Sequence, residues 1–276
     1  MQEVMLSMEN TQIDNSFVDS KTKSKKRKHK KIAVAITERD INIFRFLSSG
    51  CATFTQIQNA LKVIYKMPVS AVALRKRLSL LQAGGYIVSK KYYSENKGYV
   101  LYTLEEPAID ILVQNGYAVE RIRWGLPHPA FAVHELAVTE IIRTIRRDAA
   151  KNLYDFSIFD EKVLKKIAPD AKGYPDLIVK LVFNVAGKTI EKSIAIEYDN
   201  GTQYAIDIVQ KVRNIKYPVI ILSRTLDRIG VLKKVFLKAE EKLHNRVFFA
   251  LLNEFYKAGL LNSEFTTVNG KIGKII

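Results

Sequence analysis

Three acidic residues in the second half of the chain have a spacing that suits metal-dependent chemistry. Asp176 opens a predicted strand, and Glu197 and Asp199 lie two residues apart on a later one. Because side chains alternate along a strand, Glu197 and Asp199 share one face. Where that face meets the face of Asp176, three carboxylates supply the oxygen ligands and negative charge that Mg²⁺ requires. Such an ion would polarise a phosphate and activate water, so the pattern indicates phosphodiester cleavage.

Two lysines are candidates for the cation that such a centre needs beside its carboxylates. Lys180 lies on the Asp176 face, but four residues along a strand separate the two by roughly 13 Å. Lys211 belongs to the helix that follows Glu197 and would reach the cluster from the side. The candidate catalytic residues are therefore the three acids and Lys211. His134 lies within the apolar face of an earlier helix, a position that favours a buried core histidine over a ligand.

The elements that would position these side chains form an α/β pattern over residues 130–276. Apolar periodicity and β-prone runs divide this region into helices and strands. The predicted elements are a helix over 130–149, strands over 154–163, 176–183 and 193–198, a helix over 204–216, a strand over 218–222, a helix over 226–243 and a strand over 247–252. The core of this order is α-β-β-β-α-β.

Residues 32–116 have the pattern of a winged helix-turn-helix. Two short helices precede a third, centred on 69–82, which Ser70 caps and Gly84-Gly85 ends. Its apolar stripe, at helical spacing, consists of Ala71, Leu74, Leu78 and Leu81. Two β-prone runs over 86–104 follow as a hairpin, the wing, and a further short helix completes the domain. A segment over 117–129, containing Gly, Pro and Trp, links this domain to the second half.

The face of the third helix opposite its apolar stripe predicts contacts to DNA. A helix enters the major groove, where Arg and Lys read guanine edges and Gln reads adenine. The candidate side chains on the helix are Ser70, Arg75, Lys76, Arg77 and Gln82. The hairpin adds Lys90, Lys91 and Lys97, which suit contacts to phosphates.

The net charge of +16 indicates a polyanionic partner, most often nucleic acid. The first twenty residues carry −4 and residues 21–31 carry +8, which leaves +12 for residues 32–276. The basic character therefore belongs to the folded part as well as to the tail. Residues 1–31 are predicted to be disordered. Their Lys/Arg block, which includes Lys26, Arg27 and Lys28, is either a phosphate-binding arm or a nuclear-localisation signal, and the arm is favoured.

Several classes of protein are disfavoured by what the sequence lacks. With Cys51 as the only cysteine, neither an intramolecular disulfide nor a cysteine-based zinc site can form. The N-terminus does not have the pattern of a secretory signal, and no apolar stretch approaches the ~20 residues of a membrane span. A phosphate-binding P-loop, an H-E-x-x-H zinc motif and the histidine cluster of a relaxase are also missing. We expect a cytoplasmic protein associated with the nucleoid or a plasmid.

Five segments together resemble the replication-relaxation family, proteins of plasmids and mobile elements that are associated with relaxases. They are the TERDINIFRFL opening, the ALRKRLSLLQAGGYI helix-to-wing step, the helix of His134, the turn Tyr174-Pro-Asp176 and the strand Ile196-Glu-Tyr-Asp199. The resemblance covers about residues 35–250 and implies a second domain like the PD-(D/E)xK nucleases. In those nucleases a lysine follows the acid by two residues, whereas here the position holds Asp199.

Three functions remain open from the sequence. The first is a sequence-specific double-stranded DNA-binding accessory protein in plasmid replication or mobilisation, with the second domain as a platform for DNA or a partner. A relaxase or replication protein is the expected partner, and a homodimer is compatible with the chain. The second is an Mg²⁺-dependent endonuclease or nickase that uses Asp176, Glu197 and Asp199. The third is a transcriptional regulator.

Overall fold

Seven elements build a winged helix in the first half of the chain. The computed structural model describes residues 33–94, 97–117, 125–152, 154–185 and 188–274. The first-half elements are α1 Glu38–Leu47, β1 Ala52–Thr53, α2 Phe54–Val63, α3 Ala71–Ala83, β2 Ile87–Ser94, β3 Lys97–Leu104 and α4 Glu106–Gln114. The three strands pair antiparallel in the order β1-β3-β2. The predicted three helices and hairpin are thus present, with β1 as a strand that the sequence did not predict.

Local side-chain contacts explain why these helices begin where they do. Thr37 and Asp40 form a capping box at α1, and Thr53 and Gln56 form another at α2. The Ser70 hydroxyl accepts the Ala73 N–H at the start of α3. The α3 leucines enter the core of this half, beside buried residues of α1, α2 and α4. The leucines are Leu74, Leu78 and Leu81.

A seven-stranded mixed sheet organises the second half. Its elements are α5 Ala132–Asn152, β4 Asp155–Asp160, α6 Glu161–Ile167, β5 Leu177–Val185, β6 Lys188–Asp199, α7 Ala205–Asn214, β7 Val219–Ser223, α8 Leu226–Leu237, β8 Val247–Leu251, α9 Leu252–Ala258, β9 Phe265–Thr267 and β10 Ile272–Gly273. The strand order is β10-β9-β8-β7-β6-β5-β4, parallel only at β6-β7 and β7-β8. The protein is therefore of mixed α/β class.

Helices cover both faces of this sheet. Apolar side chains of α5 and α9 pack on one face, against residues such as Ile196 and Ile220. Those of α7 and α8 pack on the other, against Ala195 and Ile221. Alternation along β6 thus sends successive residues to opposite layers.

Two predicted bounds in the second half were wrong, and several elements there were not predicted. The predicted strand over 154–163 ends at Asp160, whose carboxylate accepts the Val163 N–H and begins α6. The predicted helix over 226–243 ends at Leu237, before a short 3₁₀ turn at Glu241–Leu243. The chain after 252 adds a helix and two strands that the sequence did not predict.

Helix α5 holds the winged helix against the sheet domain. The Arg143 guanidinium donates to the carbonyls of Gly50 (3.1 Å) and Cys51 (3.0 Å), and it lies over the Phe46 ring. Glu140 accepts a hydrogen bond from Gln56 at 3.0 Å. Residues Ile32–Ile276 accordingly form one compact unit. The predicted boundaries at 116 and 130 stay predictions. Within the described ranges, the helices lack the combination of length and apolar character that crossing a membrane requires.

Candidate active site and DNA-binding face

Asp176 and Glu197 lie side by side at one end of the sheet. Asp176 directly precedes β5, whose first residue, Leu177, pairs with Ile196 of β6. The Asp176 backbone N–H donates to Glu197 Oε2 at 3.3 Å, and the Tyr198 N–H donates to Asp176 Oδ2 at 2.8 Å. Both acids are almost fully buried, at 3% and 2% exposure. Strand pairing therefore fixes two carboxylates at one place.

Lys211 completes this pair with a positive charge. Its Nζ lies 2.6 Å from Glu197 Oε1. The neighbouring residues of α7, Ile208, Val209 and Val212, are buried against the sheet and set the orientation of the helix. The helix thus places a cation beside the two carboxylates.

His134 also belongs to this cluster, which we name the acid-lysine centre: His134, Asp176, Glu197 and Lys211. His134 Nε2 lies 3.2 Å from Asp176 Oδ2, and its ring packs at 5.4 Å from that of Tyr198. From the sequence, His134 was interpreted as a core histidine. The signal that pointed to a functional role was a polar residue within an apolar helix face, followed by Glu135. The histidine lies near the start of α5, where it can orient the Asp176 carboxylate.

The surroundings of the centre shift the pKa values of its two acids in opposite directions. Burial, followed by the neighbouring Asp176 carboxylate, raises the pKa of Glu197 to about 8. Burial also acts to raise the pKa of Asp176, but hydrogen bonding and charge from His134, with Lys211 and the Tyr198 N–H, outweigh it and lower that pKa. Burial acts to lower the pKa of Lys211, yet the charges of Glu197 and Asp176 raise it. The pKa values of the two acids are thus shifted in opposite directions, a feature typical of functional sites.

The other two residues predicted as candidates for this centre, Asp199 and Lys180, have different partners. Arg228 of α8 donates to both carboxylate oxygens of Asp199, at 2.6 and 3.3 Å. Lys180 pairs with Glu191 at 3.0 Å. Over the described part of the chain, no group of three or more His, Cys, Asp or Glu side chains is arranged to hold a metal ion. The three-acid metal site with Asp199 is therefore not assembled in this structure, because Arg228 holds the third acid.

A cavity of about 720 Å³ opens above the acid-lysine centre. Asp176, Glu197 and Lys211 line it, together with residues from several other segments. These include Cys51 of the first half, Leu126–His128 before α5, Lys162 and Lys165 of α6, and Asn200 and Gln203 after β6. The two halves of the chain therefore build this cavity together.

The exposed face of α3 differs from the predicted one at one important residue. Arg77 donates from Nε to Asp40 Oδ1 at 2.7 Å and from a terminal nitrogen to the Ala35 carbonyl at 2.6 Å. Asp40 is fully buried, so this ion pair ties α3 to α1. The Arg77 guanidinium thus faces the protein in this structure, and its predicted contact with DNA stays a prediction.

The other predicted DNA contacts on α3 lie at the surface. Lys76 is exposed. Arg75 lies over the Phe54 ring at 5.0 Å. Gln82 donates to the Ser89 hydroxyl of β2 at 2.7 Å, and Ser70 accepts the cap bond. Lys76 is therefore the predicted helix residue best placed for an outside partner.

The predicted wing residues lie on the two strands of the hairpin. Lys90 lies 5.7 Å from the Tyr92 ring and Lys91 lies 5.0 Å from the Tyr93 ring, and both lysines are exposed. Lys97 begins β3, but its side chain is outside the described part of the structure. The basic arm with Lys26, Arg27 and Lys28 also lies outside the described residues, so its role stays a prediction.

No protein-family model and no curated protein matches the chain. Membership of the replication-relaxation family therefore stays a prediction.

Solved structures give only distant similarity. Lactococcus lactis ZitR, a zinc-responsive MarR family member, aligns at 19% identity and TM-score 0.26, over 55% of this chain and 92% of that chain. Bacillus subtilis PadR in complex with operator DNA aligns at 14% identity and TM-score 0.27, over 41% and 71%. The DNA modification-dependent restriction endonuclease AspBHI aligns at 13% identity and TM-score 0.25, over 64% and 57%. These TM-scores are too low to bear on the function of this chain.

Proposed function

We propose that this protein binds double-stranded DNA through its winged helix and cleaves DNA at the acid-lysine centre, as a metal-dependent endonuclease. The observation that carries the proposal is the 2.6 Å contact of Lys211 Nζ with Glu197, which lies beside Asp176 below a cavity. Two acids and a lysine are the residue types of the PD-(D/E)xK nucleases that the sequence resembles. The β4-β5-β6 meander followed by α7 and a parallel β7 also supports that resemblance.

The two buried carboxylates fit a divalent metal ion. Proteins commonly hold Mg²⁺ with only one or two carboxylates, and water and substrate phosphates complete the coordination. Asp176 and Glu197 would hold the ion in this protein. When bound, it would supply charge to the phosphate and an activated water.

The other residues of the centre have roles that follow from their contacts. The Lys211 ammonium is held by Glu197 at the cavity, where a fixed positive charge stabilises the charge that develops on a reacting phosphate. His134 contacts Asp176 Oδ2 and keeps that carboxylate oriented. Burial by the sheet excludes bulk water from the acids and strengthens both interactions.

The DNA-binding part of the proposal depends on charge and shape. Residues 32–276 carry +12, and the exposed Lys76, Lys90 and Lys91 lie on α3 and the wing. A duplex would receive α3 in its major groove and the wing along its phosphates. Such binding weakens steeply as salt rises, because neutralised phosphates release counterions.

A nicking assay on supercoiled plasmid with Mg²⁺ or Mn²⁺ tests the cleavage. We expect the Lys211→Met and Glu197→Gln variants to lose roughly 10²–10³-fold in rate, the loss typical of removing one group that stabilises a transition state. Lys180→Met is the matched control, because Lys180 lies on the same sheet but pairs with Glu191. Absence of nicking with either metal, or equal loss in the control, would contradict the proposal.

The position of Asp199 and its ion pair with Arg228 favour a second function. The position of the usual catalytic lysine holds this acid, and Arg228 neutralises it on both oxygens. That arrangement supports a non-catalytic sheet domain in a sequence-specific DNA-binding protein, acting in plasmid replication, mobilisation or transcription. Selection of bound DNA sequences, followed by the cleavage assay on the selected duplex, separates the two: specific binding with no cleavage supports this second function.

A further inference from the structure

The depth of the acid-lysine centre limits the DNA that can reach it. Asp176 and Glu197 line the cavity and are 3% and 2% exposed. The phosphates of a regular duplex lie on a convex surface, between neighbouring sugars and stacked bases. We infer that a phosphate contacts acids buried to this extent where the strand leaves that regular path. Enzymes that act on a base inside a pocket use single-stranded substrate or extrude the nucleotide from the stack, and we apply the same steric argument to a buried phosphate site.

The size of the cavity agrees with one nucleotide. Its volume of about 720 Å³ lies within the range of sites for small organic ligands, roughly 300–1,000 Å³. A duplex segment is far larger than such a space.

Phe131 gives this cavity an aromatic wall. It lines the cavity, and 61% of its surface is exposed, although large aromatic residues are usually well buried. The His128 ring lies 6.1 Å away at an angle of 53° and lines the same cavity. Exposed aromatic faces are the surfaces on which proteins that bind single strands stack unpaired bases.

Two lysines of α6 line the same cavity. Lys162 is exposed, and Lys165 pairs with Glu161 at 2.6 Å. Lys211 also belongs to the lining, together with the acids Glu135, Glu161, Asp176 and Glu197. The lining therefore combines the exposed ring of Phe131 with the exposed Lys162, a cation that a phosphate of the backbone can contact.

We propose that this cavity binds one unpaired nucleotide, with its base stacked on Phe131 and its phosphate at the acid-lysine centre. The substrate of the endonuclease is then single-stranded or locally unpaired DNA, held beside a duplex on the winged helix. This inference rests on the proposed function for the identity of the substrate. The stacking surface itself is a separate structural feature.

Three 30-nucleotide DNAs labelled with 2-aminopurine test the inference: a single strand, a full duplex, and a duplex with a central unpaired bubble. Fluorescence reports base stacking in Ca²⁺ buffer, and cleavage is measured in Mg²⁺. We expect the single strand and the bubble to change fluorescence and to be cleaved in preference to the duplex. Phe131→Ala should weaken single-strand binding about 5- to 100-fold, the loss expected for one base-aromatic stack, whereas Phe131→Trp should retain it.

Ile272→Ala is the matched control, because Ile272 is similarly exposed but lies on β10, outside the residues that line the cavity. Since Phe131 is exposed, its substitution should leave the fold intact. Equal cleavage of duplex and bubble, or single-strand binding that is unchanged in Phe131→Ala, would overturn the inference. Binding that depends on Phe131 without cleavage of any substrate would refute the endonuclease and leave the nucleotide site supported.

Discussion

Replacing Arg143 by methionine should destabilise the whole folded unit. Arg143 is buried and donates to the carbonyls of Gly50 at 3.1 Å and Cys51 at 3.0 Å. Methionine retains an unbranched apolar stem but leaves both acceptors without this donor. Each unsatisfied buried acceptor costs about 1–3 kcal/mol. The guanidinium also lies 4.0 Å from the centre of the Phe46 ring, and this contact is lost too.

We therefore expect Arg143→Met to lower the free energy of unfolding by about 3–5 kcal/mol. For a unit of this size, that loss corresponds to a fall in Tm of roughly 6–20 °C. Urea denaturation followed by circular dichroism measures the first quantity, and calorimetry measures the second.

Arg146→Met on the same helix is the matched control for this substitution. Arg146 donates to the Ser49 hydroxyl at 2.8 Å, and loss of this hydrogen bond should cost about 0.5–1.5 kcal/mol. A loss below about 1 kcal/mol in Arg143→Met, or the same loss in both variants, would show that the Arg143 contacts do not hold the two halves together.

Two further predictions concern DNA binding and pH. Lys76→Ala should weaken DNA binding and reduce the slope of log K against log salt concentration by about 1. Arg77→Met should mainly lower the free energy of unfolding, because it removes the guanidinium that pairs with the buried Asp40 carboxylate. Gel shifts over a salt series and urea denaturation measure these effects, and a reduced slope in Arg77→Met alone would contradict them. The pKa of Glu197 is about 8 in the folded protein, above the ~4.3 of an unfolded chain. The protonated Glu197 side chain therefore adds its full contribution to the free energy of unfolding below ~4.3, and this contribution is lost as pH rises through about 8. Glu197→Gln should therefore become more stable relative to wild type between pH 5 and pH 9, and a relative Tm independent of pH over that range would refute the assignment.

The winged helix could be predicted from the sequence because its signals are local. The Ser70 cap, the leucine stripe of α3 and the following glycines lie within sixteen residues and define the helix without the rest of the chain. The direction of Arg77 could not be predicted in the same way. Its partner, Asp40, is 37 residues away and also forms the capping box of α1.

The acid-lysine centre was predictable in part. Alternation along β6 placed Glu197, and the register of β5 and β6 brought Asp176 beside it, but register is a property of the folded sheet. Lys211 enters from a helix, where its direction depends on how α7 packs on the sheet. Asp199 shares the face of Glu197 by alternation, yet Arg228, which is 29 residues later in the chain, holds it.

Helix α5 carries His134 near one end and Arg143 nine residues later, about 13 Å along the helix axis at 1.5 Å per residue. One rigid element thus contacts the acid-lysine centre and fixes the winged helix. Under the proposed function, the fixed separation of these two contacts along α5 sets the distance between DNA bound at α3 and the acids. We then expect cut sites at a constant number of nucleotides from the bound sequence, with little spread.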